Sequence, residues 1–90
     1  MADVEEAQMA GVAEWQARAK GLLKAELKRR NVTYAGLVEK LAAIDVQDTE
    51  PNIRNKIARG GFTAVFLLQC LSAIGAQEIR INPADWLGSR

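Results

Sequence analysis

Ninety residues, 49% apolar and 26% charged with a net charge of +1, suit one small soluble domain with a modest core. The absence of histidine removes the commonest general base, and the acidic residues do not cluster at metal-ligand spacing, so no enzyme, metal or cofactor is expected. No apolar run approaches the roughly 20 residues of a membrane span, and the N-terminal ADVEEA is acidic rather than signal-like, which predicts an intracellular protein without a membrane partner.

Residues 1–12 are acidic and alanine-rich and fit either a frayed tail or an extension of the first helix. From Ala13 to Arg30 the helical period is clear. Trp15, Ala19, Leu22, Leu23 and Leu27 share one arc, which assigns Trp15 to the core, while Lys20, Lys24 and Lys28 form a stripe on another. Glu26 and Arg30 project into the apolar arc. Asp3, Glu5, Glu6 and Glu14, with no basic residue, give residues 1–14 a charge of −4. Residues 15–30 carry +5 and residues 49–61 carry +2, so positive charge gathers in two segments of a nearly neutral chain.

Thr33 is a good cap for a second helix whose buried edge is Tyr34, Leu37, Val38 and Leu41, ending near Ile44. Gly36 inside it predicts a close approach by a neighbouring helix backbone. Residues 45–48 form a turn with Val46 pointing inward. Thr49 caps a third helix with Pro51 in its first turn, and Gly60-Gly61 stops it with the first glycine left-handed. Thr63 caps a fourth helix with Phe66, Leu67, Cys70, Leu71 and Ile74 on one face, Phe62 and Phe66 stapling its start and Gly75 ending it. Cys70 lies in that apolar run and is expected to be a buried free thiol. Residues 77–82 alternate polar and apolar, the pattern of a short strand, and Asn82 caps a helical fragment PADWL. Such a lone strand either pairs with the same strand of a second copy or packs as a tail on the fourth helix. Ile79, Ile81 and Trp86 are the dimerisation residues of the first alternative.

The third helix carries the chemistry. With Ile53 and Ile57 turned inward, Asn52, Asn55 and Arg59 point outward, and Arg54 and Lys56 lie on the flanks. Asn and Arg have the paired hydrogen-bonding groups that match the edges of adenine and guanine in a major groove. Asn52 and Asn55 are therefore expected on base edges, with Arg59 on a guanine edge or a phosphate. Lys28 and the hydroxyl or amide of Thr49 are expected on phosphates, and Arg54 and Lys56 on phosphates or in intramolecular pairs.

Residues 22–75 resemble the Cro and lambda-repressor superfamily of helix-turn-helix domains. The matching pieces are LKAELKRRN, TYAGLVEKL, TEPNIRNKIARGG and FLLQCLSAIG. The chain also resembles an uncharacterised bacterial family carrying NKIARGGFTAVFLLQCL or close variants. The first resemblance implies duplex DNA as partner, with the third helix as reading head. Two departures stand out: the segment 44–48 is a few residues longer than the usual turn, and Tyr34 stands where the superfamily often has a phosphate-binding Gln. Tyr34 can offer its hydroxyl to a phosphate or its ring to the core. Members of the superfamily also pair an Arg on the first helix with a Glu on the third. Here Glu26 faces two options, a charge-swapped pair with Arg54 or Lys56, or a local pair with Arg30.

The expected fold is all-α, a compact four- to five-helix bundle with a helix-turn-helix and a short C-terminal strand. Residues 1–12 form a tail or helix extension, 13–75 the helix-turn-helix domain and 76–90 the possible dimerisation segment. The expected function is transcriptional regulation by a cytoplasmic, nucleoid-associated homodimer bound to double-stranded DNA. The competing expectation is a protein-protein interaction module on the same scaffold, with a protein partner instead of DNA.

Overall fold

Thr33, Thr49 and Thr63 each hold extended backbone, and each hydroxyl accepts a hydrogen bond from the amide three residues on, at Gly36, Asn52 and Phe66. They start α2 (Tyr34–Ala42), α3 (Glu50–Arg59) and α4 (Ala64–Ala73). These follow a long first helix, α1 (Ala2–Arg29), in a computed structural model that describes residues 2–81, with side chains from residue 11 onward. The helix stops are equally regular. Asn31, Asp45, Gly60 and Gly75 all take positive φ, of 61°, 65°, 71° and 79°. After Asn31, Asp45 and Gly75 the next amide reaches back to a carbonyl five residues earlier: Val32 to Leu27, Val46 to Leu41 and Ala76 to Leu71. Val32, Val46 and Ala76 then pack on the core, so each stop also turns an apolar side chain inward.

Leu23, Leu27, Leu37, Leu41, Ile53, Ile57, Phe66, Cys70 and Leu71 form one buried cluster drawn from all four helices. α3 packs on both α1 and α2, and α4 packs on the same two. Ile53 and Ile57 are fully buried, each contributing about 1.5–3 kcal/mol. Phe62 and Phe66 stack tilted at 5.6 Å, the apolar staple across the start of α4. Cys70 is fully enclosed; burial pushes its thiol up to about 12, helped by the Asp48 charge and opposed by Lys56.

Several expectations need correction. α2 ends at Ala42, leaving Ile44 exposed in the turn, while α1 runs on through residues 2–12 as the helix-extension alternative has it. No strand forms among the described residues. Ile79 packs on the chain's own core, while Ile81 remains 60% exposed. The PADWL fragment, Trp86 included, lies outside the described residues. Trp15 is 58% exposed instead of buried: it lines an open apolar hollow with Leu67, Ile79 and Ile81, and among the described side chains of α1 the first buried one is Leu22, about two turns on. Periodicity placed Trp15 on the right arc but could not show how far along the arc the cover extends.

Gly36 is crowded by its own capping turn, not by another helix: a Cβ there would sit 3.3 Å from the Thr33 hydroxyl. The close crossing is at Gly60, where a Cβ would meet the Gln16 carbonyl oxygen at 2.4 Å. This contact locks the end of α3 against the backbone of α1. Gly60→Ala is therefore expected to lower the unfolding free energy by at least about 2 kcal/mol in urea melts, combining left-handed strain with a backbone clash. Gly75→Ala, with similar φ but open space around it, is expected to cost only about 1 kcal/mol.

Candidate nucleic-acid interface

α3 is short, and its two buried isoleucines decide how the rest of it is presented. Opposite Ile53 and Ile57 the helical wheel places Asn55 and Arg59, one turn apart on the same face. Both are exposed and neither has a partner among the described residues. Asn52 is exposed too, but its side chain leans to Asp48, and its amide is capped by the Thr49 hydroxyl at 3.3 Å.

The flanking cations are engaged within the molecule. Arg54 donates to Glu50 at 2.6 Å, with its guanidinium 5.6 Å from the centre of the Tyr34 ring. Lys56 donates to Asp48 at 2.8 Å and lies 4.8 Å over the Phe66 ring. The Thr49 amide, expected to be available to a phosphate, donates to the other Asp48 oxygen at 2.8 Å. Glu26 resolves in favour of its local partners: it is buried, bonded to Arg30 and 3.3 Å from Arg29, and the charge-swapped pair with α3 does not form. Arg54 and Lys56 have carboxylates closer at hand on their own segment.

Asp48 organises this end of α3. Its side chain is only 7% exposed. Burial works against its charged form, but the Lys56 hydrogen bond, the Thr49 amide, the Lys56 charge and Asn52 together outweigh it and hold the carboxyl below 3.8. Sequence reading missed this residue, because a loop carboxylate eight positions before its lysine belongs to no helical period. The Asp directly before the Thr49 cap was the available signal.

A second feature lies beside α3. Lys24, Lys28, Asn31, Thr33 and Tyr34 surround an open hollow of about 400 Å³ floored by Leu27 and Val32. Lys24 and Lys28 are exposed and have no partner among the described residues. Tyr34 is half-buried on the core and joins the two regions, lining the lysine hollow and facing the Arg54 guanidinium. A cationic margin therefore runs from the end of α1 across the start of α2 to the flank of α3. Such a margin can attract an anionic ligand. Of the expected dimerisation residues, Ile79 and Ile81 line a small apolar hollow with Trp15, Leu22 and Leu67, well apart in sequence from α3.

A family described as a domain of unknown function, DUF6471, matches residues 15–79. The chain belongs to this family. The DUF6471 match begins at Trp15 and ends at Ile79, so it takes in the packed part of α1, all of α2, α3 and α4, and the tail segment that returns to the core. No curated protein and no solved structure matches the chain significantly. Among the described residues, no helix is long and apolar enough to cross a membrane.

Because the folded carboxyl of Asp48 lies below its ordinary value, its stabilising contribution is present at neutral pH and fades as pH falls below about 4. Asp48→Asn is expected to lower stability at pH 7 by about 1–2 kcal/mol, and the gap between variant and wild type should shrink in acid. Denaturant melts at pH 7 and pH 3 measure both quantities.

Proposed function

We propose that this protein is a small transcriptional regulator that reads duplex DNA through α3 on a helix-turn-helix scaffold, acting in the cytoplasm on the nucleoid. The observation that carries this reading is the pair Asn55 and Arg59, exposed, unengaged and one turn apart on the face opposite the buried isoleucines. Asn55 is suited to an adenine edge and Arg59 to a guanine edge or the adjoining phosphate. Asn52 and Thr49, tied into the Asp48 turn, fix the start of the helix and contact DNA only at its margin. Lys28, with Lys24 and the Tyr34 hydroxyl, tracks the phosphate backbone. Arg54 joins them by exchanging Glu50 for a phosphate, a cheap exchange because exposed pairs contribute only about 0–1 kcal/mol. Lys56, held by a nearly buried carboxylate, serves the fold first. A homodimer would present two such heads to a short, partly palindromic site.

A protein-protein interaction module is the second reading, favoured by one specific feature. The Asp48 carboxylate stands at the N-terminal end of α3, where a phosphate would otherwise be drawn by the helix dipole.

A titration with duplex DNA at several salt concentrations separates the two. A DNA binder shows affinity falling steeply with salt; Lys28→Ala reduces the salt slope by about one ion for every sequence. Asn55→Ala and Arg59→Ala each cost about 1–3 kcal/mol on the preferred sequence and relax the choice of base. Absence of binding at low salt, or unchanged affinity in both variants, overturns the regulator reading.

A further inference from the structure

The hollow of about 400 Å³ where α1 ends and α2 begins falls within the size range of small-molecule sites, about 300–1,000 Å³. Leu27, only 4% exposed, and Val32, packed on the core, make its floor apolar. Lys24 and Lys28 stand on its wall one helical turn apart, which puts their Cβ atoms about 5–6 Å from each other. Both are exposed, and neither has a partner among the described residues. The half-buried Tyr34 forms another side, beside Asn31. Among the described residues, no acidic side chain lines this hollow.

Two like charges at i and i+4 repel, so the lysine pair opposes folding until an anion is shared between them. The start of α2 adds to the same field, because its first turn carries no acidic residue. α3 differs, since Asp48 and Glu50 already answer its N-terminal end. Two other hollows give the contrast. Arg29, Arg30 and Arg80 line a polar one, but Glu26 and Glu78 line it too, and Glu26 already pairs with the first two. The hollow at Trp15 is apolar, and its cation Arg18 is held by Glu14. Of the three, the hollow at Lys24 and Lys28 alone sets unanswered charge above an apolar floor. A phosphodiester backbone meets those cations but brings little apolar surface to the floor. One small molecule with a carboxylate and a ring complements both.

We propose that this hollow binds a small aromatic carboxylic acid, its carboxylate shared by Lys24 and Lys28 and its ring against Leu27, Val32 and Tyr34. The acid occupies the cations that the regulator reading gives to the DNA backbone, so acid and duplex compete. The competition rests on that reading; the site itself does not.

NMR titration of the labelled full chain with 1-naphthoate, at constant ionic strength and without DNA, tests the site. Saturable shifts are expected at Asn31, Val32 and Tyr34, with a dissociation constant on the order of 1 mM or below. 1-Naphthalenemethanol keeps the ring without the charge, and inorganic phosphate keeps charge without the ring. Each should bind at least about threefold more weakly. Lys24→Gln and Lys28→Gln, at exposed positions, should each weaken naphthoate by a similar factor, with the fold checked by circular dichroism. Lys40→Gln, on α2 but outside the hollow, should leave it unchanged. The site is overturned if naphthoate does not saturate, if the shifts centre on Trp15 and Leu67, or if the alcohol or phosphate binds equally well. Lysine variants that bind naphthoate as the wild type does overturn it too. A second arm adds duplex DNA, whose affinity naphthoate should lower in the wild type but not in the double variant Lys24→Gln, Lys28→Gln. Duplex affinity untouched by saturating naphthoate overturns the competition. A chain that binds naphthoate but no duplex refutes the regulator reading and leaves the site standing; one that binds duplex but no naphthoate does the reverse.

Discussion

The burial of Ile53 and Ile57 between α1 and α2 is the constraint from which the presented surface follows. α3 has only ten residues and only these two buried side chains, so its rotation about its own axis is set by them. Once they are enclosed, Asn55 and Arg59 have no direction left but outward. The rotation is held at both ends of the helix. At the start, Asp48 binds Lys56 and the Thr49 amide; at the end, Gly60 lies against the Gln16 carbonyl of α1 at a separation no side chain could tolerate. A short helix with a small apolar edge becomes a rigid platform because its ends are fixed by contacts outside it.

The same packing sorts the basic residues into two groups. Lys56, Arg54, Arg29 and Arg30 have carboxylate partners within the chain, with the buried Glu26 taking two of them. Lys24, Lys28 and Arg59 have none among the described residues. A net charge of +1 therefore understates the field on one side of the molecule, because the compensating acids are concentrated in the first turns of α1 and around the paired arginines. Which cations are available to a ligand is a property of the fold, not of the composition.

Much of the helical framework was legible in the chain. Three threonine caps, glycine stops at 60 and 75, an inward Val46 and a buried Cys70 all follow from local rules that act within a few residues, and all appear in the structure. What was not legible depends on distant partners. Trp15 has core spacing but only partial cover, since Leu67 of α4 and Ile79 and Ile81 of the tail leave the hollow beside it open. Glu26 chose neighbours one turn away over α3, and Gly60, not Gly36, marks the tight crossing. The alternation at residues 77–81 reflects one face resting on the core, as Ile79 shows, without a second strand to bond. Of the candidate site, the outward direction of Asn55 and Arg59 could be read from the two isoleucines alone. The engagement of Lys56 and Thr49 by Asp48 could not, because it joins a loop to a helix across no regular interval.

The proposed DNA contact is made by the face of α3 opposite its buried isoleucines. Two-dimensional amide and side-chain NMR of the labelled protein, titrated with a short duplex at low salt, addresses it most directly. The Asn55 side-chain amide and the Arg59 guanidinium resonances are expected to shift first and furthest, followed by Lys28 and the Tyr34 amide, while α4 stays unperturbed. Shifts confined to α4 or the first half of α1, or a spectrum that DNA leaves unchanged, would contradict it.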